Sequence, residues 1–357
     1  MEYKIFIPFL IFIIFDVLTN NKKNSINAVL EIIVFSIIIL FYSFINPTYG
    51  YIICIPLLFY LFYKNTINRK PIENMKIIIE KNEEDYFHFI ENSVIPLNLF
   101  QTWHTKKLPP KMKECTDKLR KENPEFQYFL FDDDDCRKFI KENFDENVLY
   151  AFDNLIPGAY KADLWRYCIL YKKGGIYLDI KFQCENGFKL IELLDREYLV
   201  LDRPYSDNLP VSKELDIINN KDYYKNIYKK IDSKTWQNKN IGIYNAVMVC
   251  KPNDNTLLRC INKIVEYVKN KNYGYNPLYI TGPGLLGDIY FNYNTNDNSF
   301  QRKIKDFELF NSLTGNYILN RKGKILSHYK EYRYEQQQFS DKKYYQTLWK
   351  ERKVFGN

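Results

Sequence analysis

The stretch at 161–182, KADLWRYCILYKKGGIYLDIKF, limits the fold more than any other part of the chain. Its first half reads as a helix that carries Asp163 and Arg166 three residues apart, hence on one face with roughly 5–6 Å between Cβ atoms. Gly174-Gly175 stops that helix, because glycine accepts the left-handed backbone of a helix exit. The second half alternates as a strand. Ile176, Leu178, Ile180 and Phe182 fall on one face, and Tyr177, Asp179 and Lys181 on the other. A carboxylate ending a short apolar strand, just after a helix with an Asp/Arg pair, points to a site for a charged small molecule.

The rest of the chain from Val94 fits an α/β domain. IPLNLFQTW reads as a first strand. A helix opens at Pro109-Pro110 and stops before Asn123-Pro124, and FQYFLF reads as a second strand. Asp132 to Asp135 read as the start of the next helix, with a base or ribose contact as the other reading. A short helix at 146–155 precedes the 161–182 stretch. Beyond it come a strand at 197–202, a polar loop-like insertion at 203–240, and the strand IGIYNAVMVCKP. A helix at 254–269 carries Leu257, Leu258, Ile261, Ile264, Val265 and Val268 on one face, TGPGLL enters a short helix, and a last helix covers 342–351. This alternation predicts a mostly parallel central sheet flanked by helices.

Residues 1–63 are different. Three apolar runs occupy 5–18, 26–45 and 49–63. The second is long enough to cross a bilayer, which needs about 20 helical residues. With the third it predicts a membrane hairpin at 26–63 turning at Asn46-Pro47-Thr48, and the first run is a candidate third segment. Lys22, Lys23, Lys64, Arg69 and Lys70 flank the hairpin while its turn carries no charge, so the positive-inside rule places the following domain in the cytosol. The alternative is a lumenal Golgi or endoplasmic-reticulum placement. Residues 64–92 read as a linker and one amphipathic helix, and 93–357 as the catalytic domain. The net charge of +8 is spread along the chain with no long basic tract, which excludes nucleic acid as the main partner. Seven cysteines without a CxxC pair form no zinc site or disulfide framework and fit reduced thiols.

Breaking a sugar–phosphate bond develops negative charge on the leaving diphosphate. A site for it needs cations or hydrogen-bond donors there, and groups that hold the sugar. IPLNLFQTW, the DDDD run, ADLWRY, GGIYLDIKF, YNAVMVCKP and TGPGLL occur in that order. Together they resemble glycosyltransferase family 32, the DXD sugar transferases that include the fungal initiating mannosyltransferases. The large clostridial glucosylating toxins share a more distant likeness. The resemblance covers about residues 94–290 and, more loosely, the tail to 354. It implies a GT-A fold, a nucleotide-sugar donor, Mn²⁺ or Mg²⁺, and retention at the anomeric carbon. It also implies a glycan, protein or lipid acceptor. By the resemblance, Asp163 and Arg166 correspond to donor-sugar contacts and Asp179 to the first Asp of the DXD motif. Trp103 and Tyr177 correspond to donor or base contacts, Asn245 to a residue near the donor, and His328 to a metal ligand beside Asp179.

One position departs from the family. The motif is Asp179-Ile180-Lys181, and an ammonium cannot ligate a metal. Either Asp179 recruits the metal with help from elsewhere, or Lys181 neutralises the diphosphate in the metal's place. The expected function is a membrane-attached glycosyltransferase. The alternative is a catalytically inactive module that binds a sugar nucleotide or glycan.

Overall fold

The computed structural model describes residues 93–203, 209–220, 222, 242–293, 308–340 and 343–356. The expected membrane segments at 1–63 and the linker and helix at 64–92 lie outside these residues. Among the described residues no helix is long and apolar enough to cross a membrane.

The chain enters through β1 (Asn98–Thr102), α1 (Pro110–Glu122) and β2 (Gln127–Phe131). The acidic run then starts α2 (Asp133–Asn143) as expected. The Asp135 backbone N–H donates to the Asp132 side chain at 2.9 Å, and the Asp132 N–H donates back to Asp135 at 3.2 Å. After α3 (Glu146–Asn154) comes α4 (Gly158–Lys173), in which every residue from Asp163 to Leu170 is buried. A helix buried on all sides has no solvent for its charges, so Asp163 and Arg166 must find partners inside.

Gly174 and Gly175 turn α4 into β3 (Gly175–Leu178) with φ of 60° and 121°. Space as well as backbone demands glycine here, since a Cβ on Gly175 would lie 2.5 Å from the Asn98 carbonyl oxygen of the neighbouring strand β1. The predicted strand does not run on to Phe182. A turn closed by the Phe182 N–H donating to the Asp179 carbonyl at 3.1 Å separates β3 from β4 (Phe182–Cys184). The face assignment made from strict alternation fails beyond Leu178 for that reason.

Next come β5 (Tyr198–Asp202), α5 (Val211–Asn219), β6 (Gly242–Cys250), α6 (Asn255–Lys269) and α7 (Pro283–Tyr293). The chain closes with β7 (Leu309–Asn311), β8 (Tyr317–Asn320), β9 (Gly323–His328), α8 (Tyr332–Phe339) and α9 (Tyr345–Lys350). The helix α5 falls in the segment expected to be loop-like, and the β7–β9 meander was not expected from the sequence.

Among the described residues the strands form one sheet in the order β2-β1-β3-β6-β5-β7-β8-β9-β4. It is mixed, which corrects the expectation of a mostly parallel sheet. Only β1–β2, β1–β3 and β5–β7 pair in parallel. β6 runs back between β3 and β5, and β7, β8 and β9 are joined by tight turns that only antiparallel pairing allows. One core lies between the sheet and helices α2, α3, α4, α6 and α7. A second lies on the other face around Leu99, Phe182, Val200, Val247 and Ile318.

Candidate active site

The site forms where β3 ends beside an irregularity in β6. Leu199 pairs with Met248 but Val200 pairs with Tyr244, so Asn245, Ala246 and Val247 have no partner on β5. Such a bulge re-aims side chains and frees main-chain groups. The freed carbonyls are taken by the α4–β3 stretch. Arg166 Nη1 donates to the Asn245 oxygen at 2.6 Å, and the Asp179 N–H donates to the Ala246 oxygen at 2.8 Å.

Four charged side chains meet there. Arg166 Nη2 lies 3.3 Å from Asp163 Oδ1 and 3.2 Å from Asp179 Oδ1. Lys181 Nζ lies 2.8 Å from Asp179 Oδ2. Neutral donors complete the set. The Tyr177 hydroxyl donates to Asp179 Oδ1 at 2.9 Å, Asn245 Nδ2 to Asp163 Oδ1 at 3.1 Å, and the Thr281 hydroxyl to Asp163 Oδ2 at 2.7 Å. The Arg166 guanidinium also stacks 4.4 Å from the Tyr177 ring centroid.

The two carboxyls respond oppositely. Burial dominates at Asp163 and holds it above its ordinary value in spite of Arg166 and Thr281. Burial also pushes Asp179 up, but Lys181 and Arg166 outweigh it and hold that group below its ordinary value. Burial alone would lower the Lys181 ammonium; Asp179 beside it reverses the direction. Asp179, its side chain about a quarter exposed, is the most exposed of the four.

Of the residues expected from the sequence, Asp163, Arg166, Tyr177, Asp179, Lys181 and Asn245 come together in direct contact. Trp103 and His328 sit beside them. Trp103 follows β1 directly and packs on the cluster that contains Ile180 and Tyr332, with its indole Nε1 buried and unpartnered among the described residues. His328 ends β9 opposite Phe182, its ring 4.9 Å from the Phe182 ring and 5.8 Å from the Tyr332 ring. Its Nε2 is likewise buried and unpartnered among the described residues. Burial, and then the charge of Lys181, push the imidazole down to about 3, so it is neutral at physiological pH.

The donor set fits a divalent cation poorly. Both oxygens of Asp179 are engaged, and the ammonium of Lys181 stands in contact with one of them. His328 adds one neutral lone pair to that single carboxylate. Among the described residues no group of three His, Cys, Asp or Glu side chains could hold a metal ion.

Sequence reasoning missed Thr281, Tyr167, Tyr244, Tyr332 and Asp202. Thr281 looked like part of a helix-entry turn. Tyr167 lies one turn of α4 from Asp163, accepts from Asn245 Nδ2 at 3.0 Å and donates to the Thr281 carbonyl at 2.8 Å. Asp202 ends β5, accepts from Asn311 Nδ2 at 2.7 Å, and burial raises its carboxyl, with Lys181 among the charges that oppose the rise. A strand-terminal carboxylate was visible in YLVLD, but nothing in the sequence brought it near the others.

A buried, paired set of carboxylates and cations at the end of a central strand suits a charged small molecule. Residues 109–200 match the family described as glycosyltransferase sugar-binding region containing DXD motif. Over that stretch the match supports the likeness to family 32 glycosyltransferases. It is 26% identical over 219 residues to an initiation-specific alpha-1,6-mannosyltransferase of Candida albicans, across 59% of this chain and 56% of that protein. It is 35% identical over 118 residues to inositol phosphoceramide mannosyltransferase 3 of Schizosaccharomyces pombe, across 31% and 32%. The chain thus spans about half or less of the length of these relatives. Among solved structures it is similar to a PaToxG glycosyltransferase, with a TM-score of 0.39 and 14% identity over 67% of this chain and 83% of that one.

Proposed function

We propose that the chain transfers a hexose, a mannosyl residue by the names of its relatives, from a nucleotide-sugar donor to a glycan or lipid acceptor. The observation that carries this reading is the contact of Asp163, Arg166 and Asp179 at the end of β3, within the segment that matches the family. Asp163 and Arg166 orient the sugar hydroxyls, and Asp179 with Lys181 faces the leaving diphosphate. The resemblance assigns Trp103 and Tyr177 to the donor side.

Neither site carboxylate is free to act as a nucleophile. Asp163 is ion-paired with Arg166 and accepts from Asn245 and Thr281, and Asp179 accepts from Arg166, Tyr177 and Lys181. A covalent glycosyl intermediate would have to break those contacts, so retention proceeds by front-face attack. The acceptor hydroxyl oxygen bonds to the anomeric carbon as the bond to the diphosphate oxygen breaks. The hydroxyl proton passes to the leaving phosphate.

Membrane attachment through residues 1–63, with the catalytic domain on the cytosolic side, is a further part of the proposal and rests on the apolar runs and flanking charges alone. Protease digestion of sealed membranes checks it, because a cytosolic domain is digested and a lumenal one is protected. The activity is tested by incubating the full-length chain with GDP-mannose and following donor consumption with and without a mannoside acceptor. Consumption that is lost in Asp179→Ala supports the reading. Donor binding without any turnover overturns it in favour of the inactive sugar-nucleotide-binding module.

A further inference from the structure

We infer that Lys181 is a built-in replacement for the divalent cation, so that this chain binds its nucleoside-diphosphate donor without metal. The inference rests on the nucleotide-sugar reading and deepens it. Its starting point is charge. A second Asp at this position would contribute one negative charge, and a divalent cation would have to offset it together with that of Asp179. Lysine in its place raises the formal charge by two, the amount such a cation brings. The pair Asp179–Lys181 is neutral by itself, as a metal-loaded Asp-x-Asp pair would be.

Geometry supports the replacement. The turn between β3 and β4 brings Lys181 Nζ to 2.8 Å from Asp179 Oδ2, on the oxygen that a cation would otherwise claim. Three aromatic rings fix the ammonium there, with centroids at 5.5 Å for Phe182, 5.6 Å for Tyr244 and 5.8 Å for Tyr332. These rings come from three separate elements, so the position is over-determined. A divalent ion placed against Asp179 would have to expel that ammonium or sit in contact with it, and either arrangement is opposed by charge. An ammonium carries three N–H donors; one is spent on Asp179 and one is engaged with the Tyr244 hydroxyl. The third remains for a phosphate oxygen.

The test is calorimetric titration of the full-length chain with GDP and with UDP, in EDTA and in MnCl₂. Affinity for the preferred nucleotide is expected to agree within about twofold between the two conditions. Lys181→Met should weaken it by about tenfold or more, with no rescue by Mn²⁺, while Lys181→Arg should keep metal-independent binding. Lys181→Asp restores Asp-x-Asp and should make binding depend on Mn²⁺. Thermal melts of each variant confirm that it is folded. Wild-type binding that appears only in Mn²⁺, or an unchanged affinity in folded Lys181→Met, overturns the inference and leaves the sugar-nucleotide reading standing. Binding of neither nucleotide in either condition overturns both.

Discussion

The carboxylates of Glu335, buried on α8, and Asp179, about a quarter exposed at the end of β3, are satisfied in different ways. Glu335 on α8 accepts from the backbone N–H groups of Lys111 and Met112, both at 2.8 Å, and from the Tyr329 hydroxyl at 2.9 Å. It thereby caps the start of α1, whose own N-cap, Pro109, offers no side-chain acceptor. Asp179 is instead held by Arg166, Tyr177 and Lys181. Main-chain donors in a helix end are fixed and have no second task. Side-chain cations can be shared with an incoming anion, because the ammonium and guanidinium keep donors to spare. Burial of a charge therefore does not distinguish structure from function here. The kind of partner does.

The comparison is broken most directly at Asp179. Asp179→Asn should lower donor turnover by about 10²–10³-fold or more. It should also cost about 3–5 kcal/mol of stability, because Arg166 and Lys181 lose their shared counter-charge. Asp179→Asn with Lys181→Met should recover much of that stability and none of the turnover. Denaturant melts and donor-consumption rates on the same preparations separate the two effects. A folded Asp179→Asn with wild-type turnover would remove the functional half of the contrast.

Glu335→Gln tests the other half. It should destabilise by about 1–3 kcal/mol, the range for a buried hydrogen-bond set that loses its charged acceptor, with turnover within about twofold of wild type well below the melting midpoint. A loss of turnover without a loss of stability would place Glu335 with the site instead. Thr281→Val is intermediate. It removes one donor to Asp163, so it should cost about 1 kcal/mol and reduce transfer by about tenfold through misplacement of the sugar-orienting carboxylate. Chemical denaturation and initial rates check both numbers.

The smallest effect is in the pH dependence. Asp163 has its folded value raised, so between its unfolded and folded values the native state holds more protons, and its cost at neutral pH is relieved as pH falls. Asp179 is lowered, so its contribution is present above the ordinary carboxylate range and fades as pH falls through the folded value. Asp163→Asn removes the first behaviour only. Its stability should therefore drop more steeply than wild type between pH 7 and pH 4, as read from denaturation midpoints.

Much of the site was legible because the residues are close in the chain. Helix spacing was enough to put Asp163 beside Arg166, and the two glycines marked the turn into β3. Asp179 and Lys181 were expected as neighbours at strand spacing, about 6–7 Å apart on one face. They are neighbours because of a turn, and that turn brings them into contact at 2.8 Å. Alternation carries no signal for where hydrogen bonding to the next strand stops. Thr281 and Asp202 were not legible, because their roles depend on α7 and β5 arriving at the end of β3 across more than a hundred residues in one case. The mixed sheet escaped for a related reason. The direction of β6 is decided by what it packs against, and its own apolar run reads the same in either direction.

The sequence by itself determined the local units: a helix with an Asp/Arg pair on one face, a two-glycine exit, a short apolar strand, and a lysine where the family has a second aspartate. These follow from spacing and residue type, which act within a few residues. Tertiary structure decided which charges meet, because only packing removes water from between distant elements. It placed the bulged β6 carbonyls under Arg166 and Asp179, and three rings from separate elements around Lys181. Desolvation makes those contacts strong, and desolvation is a property of the assembled fold.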